Sequence, residues 1–207
     1  MKKKFLITLS VVVCAILLVV GSIAGTIAYL TSTAEVTNTF TVGNVSITLD
    51  EAPVGEDGKA TTGDRVTANQ YHIIPDGEDD KDPRITLAAN SDACYLFVKV
   101  ENGLASVEEN EDVDGANTIA AQLAANGWVA LDDVTNVYVY TNAGNSVVAK
   151  SDDAQTFKVF ETVIIDDDAT NEALANLSPN TVKVTAYAVQ SAGFDNAKAA
   201  WTGANFS

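Results

Sequence analysis

Clusters of Asp, Asn, Gly and Pro cut this chain into short alternating stretches, and that punctuation constrains its fold more than any other feature. Segments with strand chemistry cover 35–49, 65–74, 84–89, 94–101, 128–131, 136–141, 146–150, 156–165 and 181–190. Between them lie turn-rich runs such as "APVGEDGKATTGD", "IPDGEDDKDP", "NAGN" and "LSPN". Many short strands at this spacing predict a mainly β fold, a jelly-roll-like antiparallel β-sandwich. One or two short helices are inserted. "ANTIAAQLAANG" offers Asn117 or Thr118 as a cap and Gly127 as a stop, and "NEALANLSP" ends at Pro179. "DNAKAAW" is a third candidate.

Side-chain parity assigns faces. Val182, Val184, Ala186 and Ala188 share one side of the last strand, with Lys183, Thr185 and Tyr187 opposite, which predicts a half-buried strand. Phe157, Val159, Val163 and Ile165 share one parity and Phe160 and Ile164 the other, so 156–165 predicts a central strand covered on both faces. In the first strand Val36, Phe40 and Val42 are even, but Val45, Ile47 and Leu49 are odd. The change at Gly43-Asn44 predicts a bulge or bend that lets one strand serve two sheets.

The amino terminus carries a different signal. Lys2, Lys3 and Lys4 precede 26 uncharged residues, Phe5 to Leu30, whose end is crowded with small residues. A basic start, an apolar body and a small-x-small exit describe a signal peptide. Thr26 and Ala28 occupy the small positions, which predicts cleavage before Tyr29, a signal helix over 1–28 and one β-sandwich domain over 29–207. If uncleaved, the run is long enough to anchor the chain in a membrane. Either way the bulk of the chain is expected outside the cytoplasm. No LPxTG-type sorting signal precedes Ser207, so covalent wall attachment by that route is not expected.

Removing those 28 residues, with three lysines and no acid, leaves 179 and takes the formal charge from −16 to −19. Such a surface repels phosphate backbones and argues against nucleic-acid binding. Of two cysteines, Cys14 lies in the signal, so Cys94 has no partner for an internal disulfide. Its parity with Leu96, Val98 and Val100 predicts a buried thiol.

A catalytic inventory comes up short. His72 is the single histidine, and neither HExxH, a P-loop nor GxGxxG occurs. No cofactor is expected, and calcium is the one cation that the oxygen-rich loops suggest. "NEDVDG", 110–115, begins like an EF-hand loop, but Ala121 stands where the bidentate Glu belongs. With "DGEDDKDP" and "DDDATNE", it reads first as a solvated acidic loop. Asp82-Pro83 is expected to fix the chain's entry into the next strand.

The segment "GTIAYL" followed by "NTFTVGNVSITL" resembles the start of the TasA/camelysin family, exported proteins of Gram-positive bacteria processed by a SipW-type signal peptidase. "IIPDGEDDKDPRITLAANSDACYLFVKVEN" and "AYAVQSAGFDNAKAAW" are similar to later parts of that family's pattern, and together these cover about half the chain. The resemblance implies a jelly-roll-like sandwich acting as a subunit of an extracellular matrix fibre, biofilm or cell-surface layer. Part of the family carries a metalloprotease label, which one histidine and no zinc motif leave without support.

The residues point the same way. After cleavage the new terminus, "YLTSTAEVTNTF", has strand propensity but few large apolar side chains. Leu30, Val36, Phe40 and Val42 mark it as a strand-exchange segment that completes a neighbour's sheet and propagates a filament. Pairing within its own domain is the alternative. A second functional expectation is a surface module for glycan or protein, with Trp128, Tyr95, Tyr138 and Tyr140 as aromatic candidates, although packing suits each of them better.

Overall fold

The computed structural model describes residues 31–35, 38–39, 44–71, 73–109, 118–178 and 180–206. The signal segment with Thr26, Ala28 and Tyr29, the exchange candidates Leu30, Val36, Phe40 and Val42, His72 and the 110–115 loop lie outside them.

Among the described residues the chain is mainly β, every strand pair is antiparallel, and three short helices interrupt it. The large sheet is built on two nine-residue strands, β6 (Cys94–Asn102) and β12 (Val182–Gln190), paired along their whole length. On the outer side of β12 lie β1 (Thr31–Glu35) and then β2 (Asn38–Thr39). On the outer side of β6 lie β8 (Val137–Tyr140), then β7 (Trp128–Ala130), with β9 (Val147–Val148) also paired to β6.

A smaller sheet runs β10 (Gln155–Lys158), β5 (Arg84–Leu87), β3 (Ile47–Asp50). Its β5–β10 pairing is extended by β4 (Glu78–Asp80) against β11 (Thr162–Ile164). The segment 156–165 is therefore two strands, not one. Val159 and Phe160 are consecutive and both fully buried, which breaks alternation. Backbone bonds from Val159 to the Pro83 carbonyl and from Lys81 to the Glu161 carbonyl bridge the kink, both at 2.9 Å.

The main core lies between the two sheets. Ile47, Leu49, Ile85, Leu87, Phe157 and Phe160 from the smaller sheet and its kink meet Leu96, Val98, Val100, Val184 and Ala186 from the larger one. A second cluster occupies the far face of the large sheet, where Tyr95, Phe97, Tyr187 and Val189 meet α3 (Ala197–Ala204). That helix corrects the half-buried reading of β12: Thr185, Tyr187 and Val189 are as buried as Val184 and Ala186. Helix α1 (Ile119–Ala125) starts on Thr118, whose hydroxyl accepts the Ala121 N–H at 3.1 Å, and closes the main core with Ile119 and Leu123. At its end Gly127 has φ +85°, and a Cβ there would sit 2.8 Å from the Thr141 carbonyl oxygen. Helix α2 (Asn171–Ala175) leads into β12.

Two further expectations need correction. Residues 65–74 form no strand among the described residues. Val66 makes one bridge to Glu51, and the side chains around it are mostly exposed, so there is no core face to hold a ladder. Conversely β4 lies in "DGEDDKDP", a run read as loop, because Val163 on β11 supplies a partner that its acidic sequence does not advertise. β1 and β2 belong to the large sheet and β3 to the small one, and Gly43, where the bend was expected, lies outside the described residues.

Candidate functional site

The first described strand, β1, lies against β12 in the register Thr31↔Val189 to Glu35↔Thr185. Its sequence, TSTAE, contains no large apolar side chain. The ladder therefore rests on backbone hydrogen bonds, each contributing about 0.5–1.5 kcal/mol net. β6, on the other side of β12, adds nine residue pairs rich in Leu, Phe, Tyr and Val. The two neighbours of β12 are thus held by very different forces.

A groove opens near the start of β12. Its larger part is a cavity of about 850 Å³, bounded by Val182, residues 69–71 and 73–74, Lys81 and α2. A smaller part of about 220 Å³ continues toward the end of β3 and shares Asn69, Lys81 and Val182 with it. Lys81 Nζ stands 2.7 Å from Glu51 Oε2, with both side chains almost wholly buried, and 5.1 Å from the centre of the Tyr71 ring. Burial, and then the Glu51 charge, push the Tyr71 hydroxyl above its ordinary value, so it stays neutral. Asn69 is committed to the wall, donating to the Ala52 carbonyl and accepting the Val54 N–H.

Beside the groove Asp82 does fix the chain, as the Asp-Pro pair suggested. It accepts the Ala52 N–H at 2.7 Å and meets Arg65 at 3.1 Å and Arg84 at 3.0 Å. Burial works against its ionised form, but the Ala52 amide and the two guanidiniums outweigh burial and hold the carboxyl below its usual range. Arg65 also bonds Asp50.

Other sequence candidates resolve into packing or solvent. Cys94 is fully buried, and burial pushes its thiol up to about 12. Trp128 is buried, donates Nε1–H to the Lys158 carbonyl at 2.8 Å, and stacks edge-on against Tyr140, which in turn meets Phe157. Tyr95 is buried and Tyr138 packs against the main core, so none of the four offers an open aromatic platform. Among the described residues Asp166, Asp167 and Asp168 form the one carboxylate group close enough to share an ion, but Asp167 and Asp168 are exposed and Asp166 already accepts the Asp168 N–H. Glu108, nearly buried, ties the first residue of α1 to Asn102 at the end of β6.

The sequence reading missed the groove. Tyr71 and Lys81 sit in stretches assigned to a strand and a solvated loop. The available clue was Lys81 itself, a single cation flanked by Asp80 and Asp82. No family model, curated protein or solved structure matches this chain.

Proposed function

We propose that this chain is a secreted structural subunit of an extracellular matrix fibre or cell-surface layer of a Gram-positive bacterium, assembling by exchange of its N-terminal strand after signal cleavage. The observation that carries this reading is β1. It follows the apolar amino-terminal run directly and sits on the outer side of β12, held by a ladder with almost no apolar side chains. Exchange with an identical segment of a neighbour replaces every bond that it breaks, so its equilibrium cost is small. The contact is head-to-tail and does not close, which makes a filament rather than a dimer.

The resemblance of "GTIAYL" and "NTFTVGNVSITL" to the TasA/camelysin start supports the same assignment and supplies the peptidase, one of SipW type. In this reading the two sheets form a jelly-roll-like sandwich, the membrane is touched only through the uncleaved segment, and the subunit is not an enzyme. Deleting 29–39 and imaging the purified protein tests the proposal. Loss of fibres is expected, whereas fibres of unchanged length and yield would overturn it.

A further inference from the structure

The groove beside β12 has no part in strand exchange as described above, yet it combines features that favour a ligand. Its volume falls within the range of about 300–1,000 Å³ typical of small-molecule sites. Its apolar lining comes from Ile73, Leu104, Val163, Leu174 and Val182, and Ile74, half exposed, stands at its edge. Around that lining stand Gln70, Asn171, Asn180 and Thr181, four exposed neutral side chains, none hydrogen-bonded within the described residues.

The chemistry of these groups selects a ligand. An amide both donates and accepts, as does a hydroxyl, so the four side chains match a partner that presents donors and acceptors together. Lys81 is neutralised by Glu51, and Asp79 lines the same cavity, so the groove offers an anion no net positive charge. The formal charge of −16 repels anionic chains at longer range. A purely apolar ligand would bury the amides without partners, which is costly.

We infer that this groove binds an uncharged oligosaccharide, whose hydroxyls meet the amides while its C–H faces lie on the apolar lining. The site is distinct from β1, so a matrix subunit that exchanges strands would carry a separate hold on neutral glycan. The inference does not depend on the exchange.

The test is ligand-observed NMR and calorimetric titration of the purified protein with maltotriose, cellotriose and chitotriose, beside glucose and the anionic trigalacturonate. Saturable binding of at least one neutral trisaccharide is expected, with glucose weaker because it spans less of the groove. Asn171→Ala combined with Asn180→Ala should weaken it about tenfold, equivalent to about 1.4 kcal/mol, without moving the thermal midpoint. Ala175→Trp, which fills the cavity from an exposed position on α2, should abolish it. Glucose bound as tightly as every trisaccharide would mean a free-sugar site and contradict the inference as stated. No saturable binding at up to about 10 mM, about ten times a Kd of 1 mM, would overturn it. So would tighter binding of trigalacturonate, binding indifferent to A175W, or occupation of the groove by an unstructured peptide in place of the sugars.

Discussion

Asp82 concentrates in one side chain the forces that shape the groove wall. Its carboxylate links the start of β5 to the chain leaving β3, through the Ala52 amide, Arg65 and Arg84. Because its folded pKa is lowered, its stabilising effect is complete above the ordinary carboxylate value of about 3.9 and is lost as pH falls through the lower folded value. Asp82→Asn should therefore unfold at a lower temperature than the natural protein at pH 7. The gap should narrow as the pH is taken down past the ordinary carboxylate value and the natural carboxyl takes up its proton in turn. Thermal unfolding followed by circular dichroism at both pH values checks this, and a gap independent of pH would contradict it. Cys94 shows the same step from position to chemistry. Its parity with Leu96, Val98 and Val100 was legible in the sequence, and the burial that follows leaves it protonated across the physiological range. Lys81 was not legible, because Glu51, the partner that neutralises it, lies thirty positions away, just after β3.

At the scale of elements, strands with an apolar parity were readable and those without one were not. β5, β6, β8 and β12 lie where alternation places them, since side chains on at least one face find a core. β4 escaped notice because EDD has no apolar residue, and 65–74 misled because its Val, Tyr and Ile suggest a strand that no neighbouring sheet edge receives. The second face of β12 was hidden for a related reason. Its cover is α3, a helix whose apolar contribution is concentrated in Trp201 and in Phe206 just beyond it. Trp201 meets Phe97 and Tyr187 edge-on, each at 5.2 Å between ring centres, and Phe206 at 4.9 Å. Trp201→Ala should cost about 3 kcal/mol, the lower end for a large aromatic because the ring is only half buried. Loss of near-ultraviolet dichroism together with a lower denaturant midpoint is the expected result. An unchanged midpoint would show that α3 is not what seals that face.

At the scale of the whole molecule, two sheets share a core that no disulfide reinforces, and the large sheet ends on one side in β1 and then β2, whose sequences carry no large apolar side chain. The mainly β, antiparallel character was legible from strand spacing, whereas the cover that α3 lays over the large sheet was not. The proposed exchange segment stands out in the sequence as a run of Thr, Ser and Val after an apolar stretch, whereas the pairing of β1 with β12 required the fold. The strong negative charge adds a condition on the proposed assembly. Copies of like charge approach more readily as salt screens them, so fibre formation should respond to ionic strength.

The most direct measurement compares, by electron microscopy, the protein trimmed after Ala28 with the untrimmed form, each with and without calcium. A freed β1 segment predicts fibres from the trimmed protein alone, in both conditions. Monodisperse particles from every sample would contradict the account.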